Sequence, residues 1–435
     1  ADTVIFTYHS QDDLSDFNDK VNILAKLKNT VLDPHDLFLF TYGLPLLPQS
    51  VSLSGAASGK VSRFAFKPMT IAMGRTKVHG TLVMDGLPNI NETFIDLHIK
   101  DGKIEQPDIE FLLSESTYKA LKPFGHTRAN ADFTGFVNDF VAKGNLLTQL
   151  GSITTDVNLK IKKGNEELSE FSGNLALTSF NLGAYLKDTI NYQNVTLDGH
   201  IHGKGLSRST SDFVLTGKIN SFGFRNYNYT NITTNARFAR QLFNGDVAID
   251  DPNLQFSANA FIDFRKGKEL IQVKANLDSA LIDKLGLIKE PLFVQSYFDV
   301  NTSGLNLDSL QGKIFLKHTL IHYQTKKLKL DSVDLTSERT GQLRQLKLRS
   351  SIADISLVGN YRYPTLIADI KKLGLDFYSK FNHNKEFTPD QSIHTPIKPY
   401  EANLNVLVHT ISPLAQLADI NISLSPETVF KGHYS

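Results

Sequence analysis

The segment 203–208 (GKGLSR) begins like a phosphate-binding glycine loop, in which backbone amides and the N-terminus of a helix hold a nucleotide. It lacks the third glycine of that motif, and no helical pattern follows it. A short polar segment with glycine between two alternating runs is typical of a hairpin turn. We therefore predict a turn here and no nucleotide site.

Two histidines, His200 and His202, fall on the same face of a predicted strand and could bind a metal ion together with a third ligand. The neighbouring sequence does not supply one, and both lie on the parity opposite Leu197 and Ile201. We therefore predict that they face solvent. The absence of cysteine excludes disulfides and thiolate metal sites, and we predict neither a metal nor a cofactor.

The sequence contains no G-x-S-x-G or H-E-x-x-H motif. Acidic residues occur mainly in turns, such as Asp250-Asp251, where carboxylates commonly bond to the backbone. A dispersed catalytic triad would leave no local trace, so the sequence alone does not exclude a hydrolase. Our prediction is a protein that is not an enzyme.

The charge balance is close to neutral, with 46 Lys and Arg against 45 Asp and Glu in 435 residues. This balance argues against a nucleic-acid partner, which usually requires a basic excess. The sequence contains no apolar run of about 20 residues, so it predicts no membrane-spanning helix. The chain opens on a strand-like segment, 3–7, and stops just after another, 428–430, so we interpret it as an internal fragment of a longer protein.

The dominant pattern is alternation of apolar and polar residues in short runs. Examples are Val195 to Ile201, Phe213 to Ile219 and Leu254 to Phe264, separated by turn residues such as Asp251-Pro252-Asn253. Short turns between such runs predict antiparallel neighbours. The fold class predicted is mainly β, with a few short helices.

Glycine recurs inside these runs, at Gly135, Gly173, Gly199, Gly217 and Gly359. Glycine on the apolar parity would let a sheet curl around its apolar face. Pattern alone favours β-sandwiches, in which a second sheet covers that face. The alternative is an elongated, curled antiparallel sheet, a trough or "β-taco", with an apolar interior groove.

Helical patterns are few. An apolar stripe predicts an amphipathic helix over 364–381, followed by a flexible polar loop over 382–400 that contains His383 and His394. Short helical pieces are predicted at 116–121, 182–186 and 281–285. A loose repeat places an alternating strand before an apolar helical turn in LALTSFNLGAYL, VKANLDSALIDKL and LNVLVHTISPLAQL.

Two long stretches carry a family resemblance. The stretch from Val51, VSLSGAASGKVSRFAFKPMTIAMGRTKVHGTLVMDGLPNINETFIDLHI, resembles the TamB family of the translocation and assembly module. So does the stretch from Val195, VTLDGHIHGKGLSRSTSDFVLTGKINSFGFRNYNYTNITTNARFARQLFNGDVAIDDPNLQFSANAFIDF. The repeated sequence pattern is most similar to that of the TamB-like proteins of Bacteroidota, which belong with the AsmA-like bridge proteins. The similarity extends from about Leu37 to the end.

The resemblance implies a periplasmic protein whose parent is anchored in the inner membrane of a Gram-negative bacterium. It implies a β-trough whose partners are phospholipid acyl chains and, through the parent protein, a TamA-like outer-membrane barrel. The domains expected are a leading strand with its connection (1–36), a repetitive trough (37–363), the amphipathic helix (364–381), the loop (382–400) and further trough strands (401–435). With the resemblance, the trough becomes the favoured prediction.

Three functions follow as hypotheses: conduction of phospholipid between the inner and outer membranes in support of outer-membrane biogenesis, assembly of outer-membrane β-proteins by strand addition, and a structural or adhesin sandwich array. For the first, the groove residues predicted are Leu197, Ile201, Leu215, Ile219, Val247, Ile249, Phe256 and Ala258.

Overall fold

The computed structural model describes residues 3–33, 49–113, 115–207, 209–304, 308–363, 401–418 and 423–434. Contacts divide the chain into two units, Ala1–Arg240 and Gln241–Ser435. Most described residues in both units lie in β-strands, which confirms the mainly β fold. The helix predicted over 364–381 and the loop predicted over 382–400 lie outside the described residues.

Thirteen strands are described in the first unit. They are β1 (Thr3–Thr7), β2 (Asn22–Leu32), β3 (Val51–Lys60), β4 (Arg63–Met73), β5 (Thr76–Asp85), β6 (Phe94–Ile104), β7 (Thr127–Phe136), β8 (Asp139–Thr148), β9 (Gly151–Lys160), β10 (Glu170–Asn181), β11 (Tyr192–Lys204), β12 (Asp212–Phe224) and β13 (Tyr227–Ala239). Each pairs antiparallel with its neighbours in sequence, from β1 through to β13.

Ten strands of the same kind are described in the second unit. They are β14 (Leu242–Asp251), β15 (Leu254–Asp263), β16 (Leu270–Leu281), β17 (Leu292–Ser303), β18 (Gln311–Tyr323), β19 (Lys326–Thr340), β20 (Leu343–Ser350), β21 (Ala353–Gly359), β22 (Ala402–Val408) and β23 (Thr428–Tyr434). Sequential antiparallel pairing holds here as well. Each unit is thus an antiparallel meander, as the short turns between alternating runs predicted.

The described helices are short. The α-helices are α1 (Phe17–Lys20), α2 (Gln106–Ile109), α3 (Glu115–Leu121), α4 (Leu182–Leu186) and α5 (Ser412–Ala418). Short 3-10 helices occupy Gln11–Asp16, Ile90–Glu92, Glu110–Leu112, Lys122–Phe124 and Glu166–Leu168. No helix in the described ranges is long and apolar enough to cross a membrane.

Two of the three predicted short helices are confirmed, as α3 and α4, and the third is wrong. Residues 282–286 form a turn, in which the amide of Leu285 donates to the carbonyl of Leu281 at 3.0 Å. Gly286 follows at φ +74°, a left-handed conformation that ends a helix after its first turn. The apolar positions predicted the turn, but one turn does not continue as a helix.

The glycines show which face of the sheet is concave. A Cβ atom added to Gly217 would lie 2.6 Å from the Cα of Gly199 and 2.4 Å from the carbonyl oxygen of Asp198. Paired side chains in a sheet normally have their Cβ atoms about 4.5–5.5 Å apart. In the second unit, a Cβ atom on Gly312 would lie 2.8 Å from the Cα of Thr302. Neighbouring strands therefore fold toward each other on the glycine-bearing face of each unit.

Candidate functional site

The eight predicted groove residues lie on the glycine-bearing face as four cross-strand pairs. In the first unit, Ile201 pairs with Leu215 and Leu197 pairs with Ile219, across β11 and β12. The pairs of the second unit join β14 to β15 and are Val247 with Ala258 and Ile249 with Phe256. Within each unit, the predicted groove residues therefore share one face of the sheet.

The register extends these pairs into rows that cross every strand of the first unit. The row nearest one end of the strands is named the first row, and its members are apolar residues and glycines. In strand order, the first row is Phe6, Ile23, Gly59, Phe64, Met84, Ile95, Gly135, Phe140, Leu159, Phe171, Gly203, Phe213 and Phe238.

The second row contains Ile201 and Leu215 and is apolar throughout. It consists of Val4, Ala25, Ala57, Phe66, Leu82, Leu97, Phe133, Ala142, Val157, Gly173, Ile201, Leu215 and Ala236. At about 4.8 Å between strands, twelve intervals carry this row roughly 58 Å. No charged residue interrupts either row in the thirteen strands.

The second unit repeats the arrangement. One row crosses all ten of its strands, in the order Gly245, Ala260, Val273, Val300, Ile314, Leu335, Leu348, Ile355, Val406 and Phe430. Nine intervals of about 4.8 Å carry it roughly 43 Å. Val247 and Ala258 belong to the adjacent row, which continues through Ala275, Phe298 and Leu316.

The burial of this face differs from that of a sealed core. Along β8 and β9, residues of the apolar parity are half-buried while their sequence neighbours are exposed. Ile201 and Phe256 are half-buried, whereas Leu215 retains 8% of its accessible surface. Half-burial is expected where side chains of one curved sheet cover each other, without a second sheet above them. We call this concave apolar surface the groove.

One end of the groove in the first unit is covered. Leu150, Phe180 and Val195 form a buried cluster against which Phe124 and, from α4, Tyr185 pack. The helix begins at an Asn181 cap, whose side-chain oxygen accepts from the amide of Ala184 at 2.9 Å. Leu197 and Ile219 also pack against this cluster. These two predicted groove residues therefore lie beside the covered end, and Ile201 and Leu215 lie farther from it.

The convex face is polar. His200 and His202 are exposed, as predicted. The Nδ1 atom of His200 lies 3.2 Å from the Oδ1 atom of Asn174. Lys143 and Asp156 form an ion pair of 3.8 Å across β8 and β9. Cross-strand polar pairs of this kind stabilise a solvated sheet face, each by a small amount.

A charged border at the uncovered end was not predicted. The terminal residues of successive strands, each next in sequence to a first-row residue and therefore of the opposite parity, are Asp139, Lys160, Glu170, Lys204 and Asp212. We call this set the charged rim; its charges alternate in sign from strand to strand. Its members are separated by up to 73 positions in the sequence, and only the register brings them together. The signal available was that each is the first or last residue of an alternating run.

The charged rim borders a cavity of about 560 Å³. Four of its residues line this cavity with Arg237 and His202. These side chains have the parity of the convex face, so the cavity lies on that face and not in the groove. Arg237 is bidentate with Asp212, through Nε at 2.7 Å and Nη2 at 2.6 Å. The hydrogen bonds from Arg237 lower the pKa of Asp212, although burial acts in the opposite direction.

The described residues contain no group of three or more His, Cys, Asp or Glu side chains that could hold a metal ion. Gly203 and Lys204 end β11, and residues 205–207 begin the connection to β12, in which the amide of Thr210 donates to the carbonyl of Ser207 at 3.1 Å. The predicted turn is therefore confirmed. What the described geometry offers is an apolar concave surface and a polar convex face that carries the charged rim.

No protein-family model, curated protein or solved structure matches this chain.

Proposed function

We propose that the groove binds phospholipid acyl chains and that the protein serves as a periplasmic bridge that conducts phospholipid between the inner and outer membranes. The observation that carries the proposal is the uninterrupted apolar rows, which cross all strands of each unit on its concave face. A contiguous apolar surface of this extent normally marks a binding site. The resemblance to TamB-like proteins supports the choice of ligand and of compartment.

Rows of interchangeable aliphatic and aromatic side chains suit a ligand that must move. Each methylene removed from water contributes about 0.8 kcal/mol, so an acyl chain gains affinity from many small contacts and from no single residue. The first-unit row of roughly 58 Å is several times the ~15 Å depth of acyl chains in one leaflet. More than one lipid could therefore occupy the groove at once.

The first test is photocrosslinking at neighbouring residues of opposite parity. A benzoylphenylalanine at Phe256, which is half-buried in the groove, should crosslink to phospholipid during expression in a Gram-negative cell. The same group at Gln255, which is exposed on the convex face, should not. Phospholipid on both variants, or on neither, contradicts binding in the groove.

The second test asks whether the groove conducts. Phe256→Glu places a carboxylate among acyl chains, where an unpaired charge costs several kcal/mol and cancels the gain from several methylenes. We expect it to reduce outer-membrane lipid supply, with Gln255→Glu as the matched control. The corresponding pair in the first unit is Leu215→Glu and Thr216→Glu. Normal lipid supply with folded Phe256→Glu protein would refute conduction.

A further inference from the structure

We propose that three aromatic rings at the covered end of the first unit limit the length of the acyl chain that its groove accepts. This inference rests on the proposed function and adds to it a selection by chain length and the residues that impose it. The rings belong to Phe124, Phe180 and Tyr185, and we call them the aromatic stop. The ring centroid of Phe124 lies 6.1 Å from that of Phe180 and 5.9 Å from that of Tyr185. The centroids of Phe180 and Tyr185 lie 5.8 Å apart, so each ring packs on the other two.

The aromatic stop lies on the concave face, in the path of the groove. Phe180 pairs with Val195 across β10 and β11. Val195 has the same parity on β11 as Leu197 and Ile201, which face the groove. Leu197 and Ile219 pack against the cluster that contains the three rings. The row of Leu197 and Ile219 is therefore the last groove row before the aromatic stop.

The two rings that do not come from strands are held in place by the sheet. Tyr185 belongs to α4, which lies so close to β11 that a Cβ atom on Gly183 would be 2.1 Å from the carbonyl oxygen of Tyr192. The carbonyl of Phe124 accepts from the amide of Gln149, between β8 and β9, at 3.0 Å. The aromatic stop is thus attached to the sheet at two separate points. A chain end that reaches it would have to displace packed side chains, which is costly.

The opposite end of these strands is open by comparison. Its first-row residues on β8, β9, β10 and β12 are half-buried, and they are Phe140, Leu159, Phe171 and Phe213. At the covered end, Leu150, Phe180 and Val195 retain only 6%, 5% and 3% of their accessible surface. A charged phospholipid head group is costly to bury. An acyl chain bound along these strands therefore has its head group at the first row and its methyl end toward the aromatic stop.

The distance between the two ends matches the length of an ordinary acyl chain. On β12, the groove-facing residues from the open end to the last row are Phe213, Leu215, Gly217 and Ile219. Six residue steps at about 3.3 Å give roughly 20 Å. The acyl chains of one bilayer leaflet span about 15 Å. Chains of that kind fit along the strands, whereas a much longer chain would meet the aromatic stop.

The test uses the full chain and phosphatidylglycerol vesicles that contain equal amounts of the dimyristoyl, dioleoyl and dierucoyl species. Protein is separated from the vesicles, and the bound species are quantified by mass spectrometry. The unmodified protein should bind the dierucoyl species, which has the longest chains, least. Tyr185→Ala removes one ring of the aromatic stop and should raise the bound dierucoyl-to-dimyristoyl ratio about fourfold or more, because burial of one further methylene changes affinity about fourfold.

A second variant tests the inference by addition. Leu197→Phe places a ring in the last groove row, which shortens the path by about one row, roughly 7 Å, and should lower the same ratio. It removes no ring from the covered end, so it decides the question where Tyr185→Ala fails to fold.

Two further variants serve as controls. Tyr185→Phe keeps the ring and should keep the ratio of the unmodified protein. Phe171→Ala removes a ring from the open end of β10, which carries Phe180 at its other end. It should weaken the binding of all three species alike and leave their ratio unchanged.

The outcomes separate the two proposals. The same ratio of bound species in the unmodified protein, Tyr185→Ala and Leu197→Phe would overturn the aromatic stop and leave the groove intact. An equal rise of the ratio in Phe171→Ala and Tyr185→Ala would also overturn it, because the effect would then follow the loss of any ring. Failure of the unmodified protein to bind any of the three species would refute the proposed function and, with it, this inference.

Discussion

Curvature of the sheet should depend on Gly217, and Gly217→Ala tests this directly. The added Cβ would lie 2.6 Å from the Cα of Gly199 and 2.4 Å from a backbone oxygen. Both are backbone atoms, so no side chain can rotate away and β11 and β12 must separate. Overpacking of this kind typically costs about 1–3 kcal/mol.

The measurement is amide hydrogen exchange of peptides from β11 and β12, which reports local opening of the sheet. A cost of about 1–3 kcal/mol corresponds to exchange roughly 5- to 150-fold faster. Gly432→Ala is the matched control, because a Cβ atom there would lie 3.9 Å from the Cβ of its partner Leu404. Its exchange should change little. Unchanged exchange in Gly217→Ala would refute the close approach of these strands.

Two smaller predictions concern the convex face and the covered end of the groove. The hydrogen bond between His98 and Asp132 is the main cause of the raised pKa of His98. The protonated His98 therefore stabilises the folded state fully below about pH 6.5, and this stabilisation is lost as the pH rises through the raised pKa. Asp132→Asn should lower the His98 pKa in an NMR titration; an unchanged value would exclude this cause. Asn181→Ala removes the cap of α4 and should cost about 1 kcal/mol. Faster exchange of Leu182–Leu186 would reveal the loss, and normal exchange there would show that packing alone holds the helix.

The strands and their inward parity were predictable because alternation is local. The alternation within each run of β8 to β13 indicates which of its residues share a face. The eight predicted groove residues lie on one face of the sheet in their own unit. The concave direction was predictable only in part. Glycines on the apolar parity permit a curl, but the 2.6 Å approach at Gly217 depends on its being paired with Gly199 and not with a larger residue.

The covered end and the charged rim depend on tertiary structure. The pattern at 182–186 predicted a helical turn, but it did not indicate that Tyr185 and Phe124 would meet over Val195. The rim forms because five successive strands end in register. A shift of one residue between β10 and β11 would have placed Lys204 opposite an apolar residue.

Sequential pairing has a consequence for how this architecture can change in length. Within each unit, the described strands pair in the order in which they occur in the chain, as β7, β8 and β9 do. Insertion or loss of one hairpin would therefore add or remove two strands, about 10 Å of groove, while every other pair keeps its register. A two-strand step also preserves the direction of the chain and the end at which its turns lie. Duplication of a hairpin would therefore lengthen the groove in fixed steps of about 10 Å.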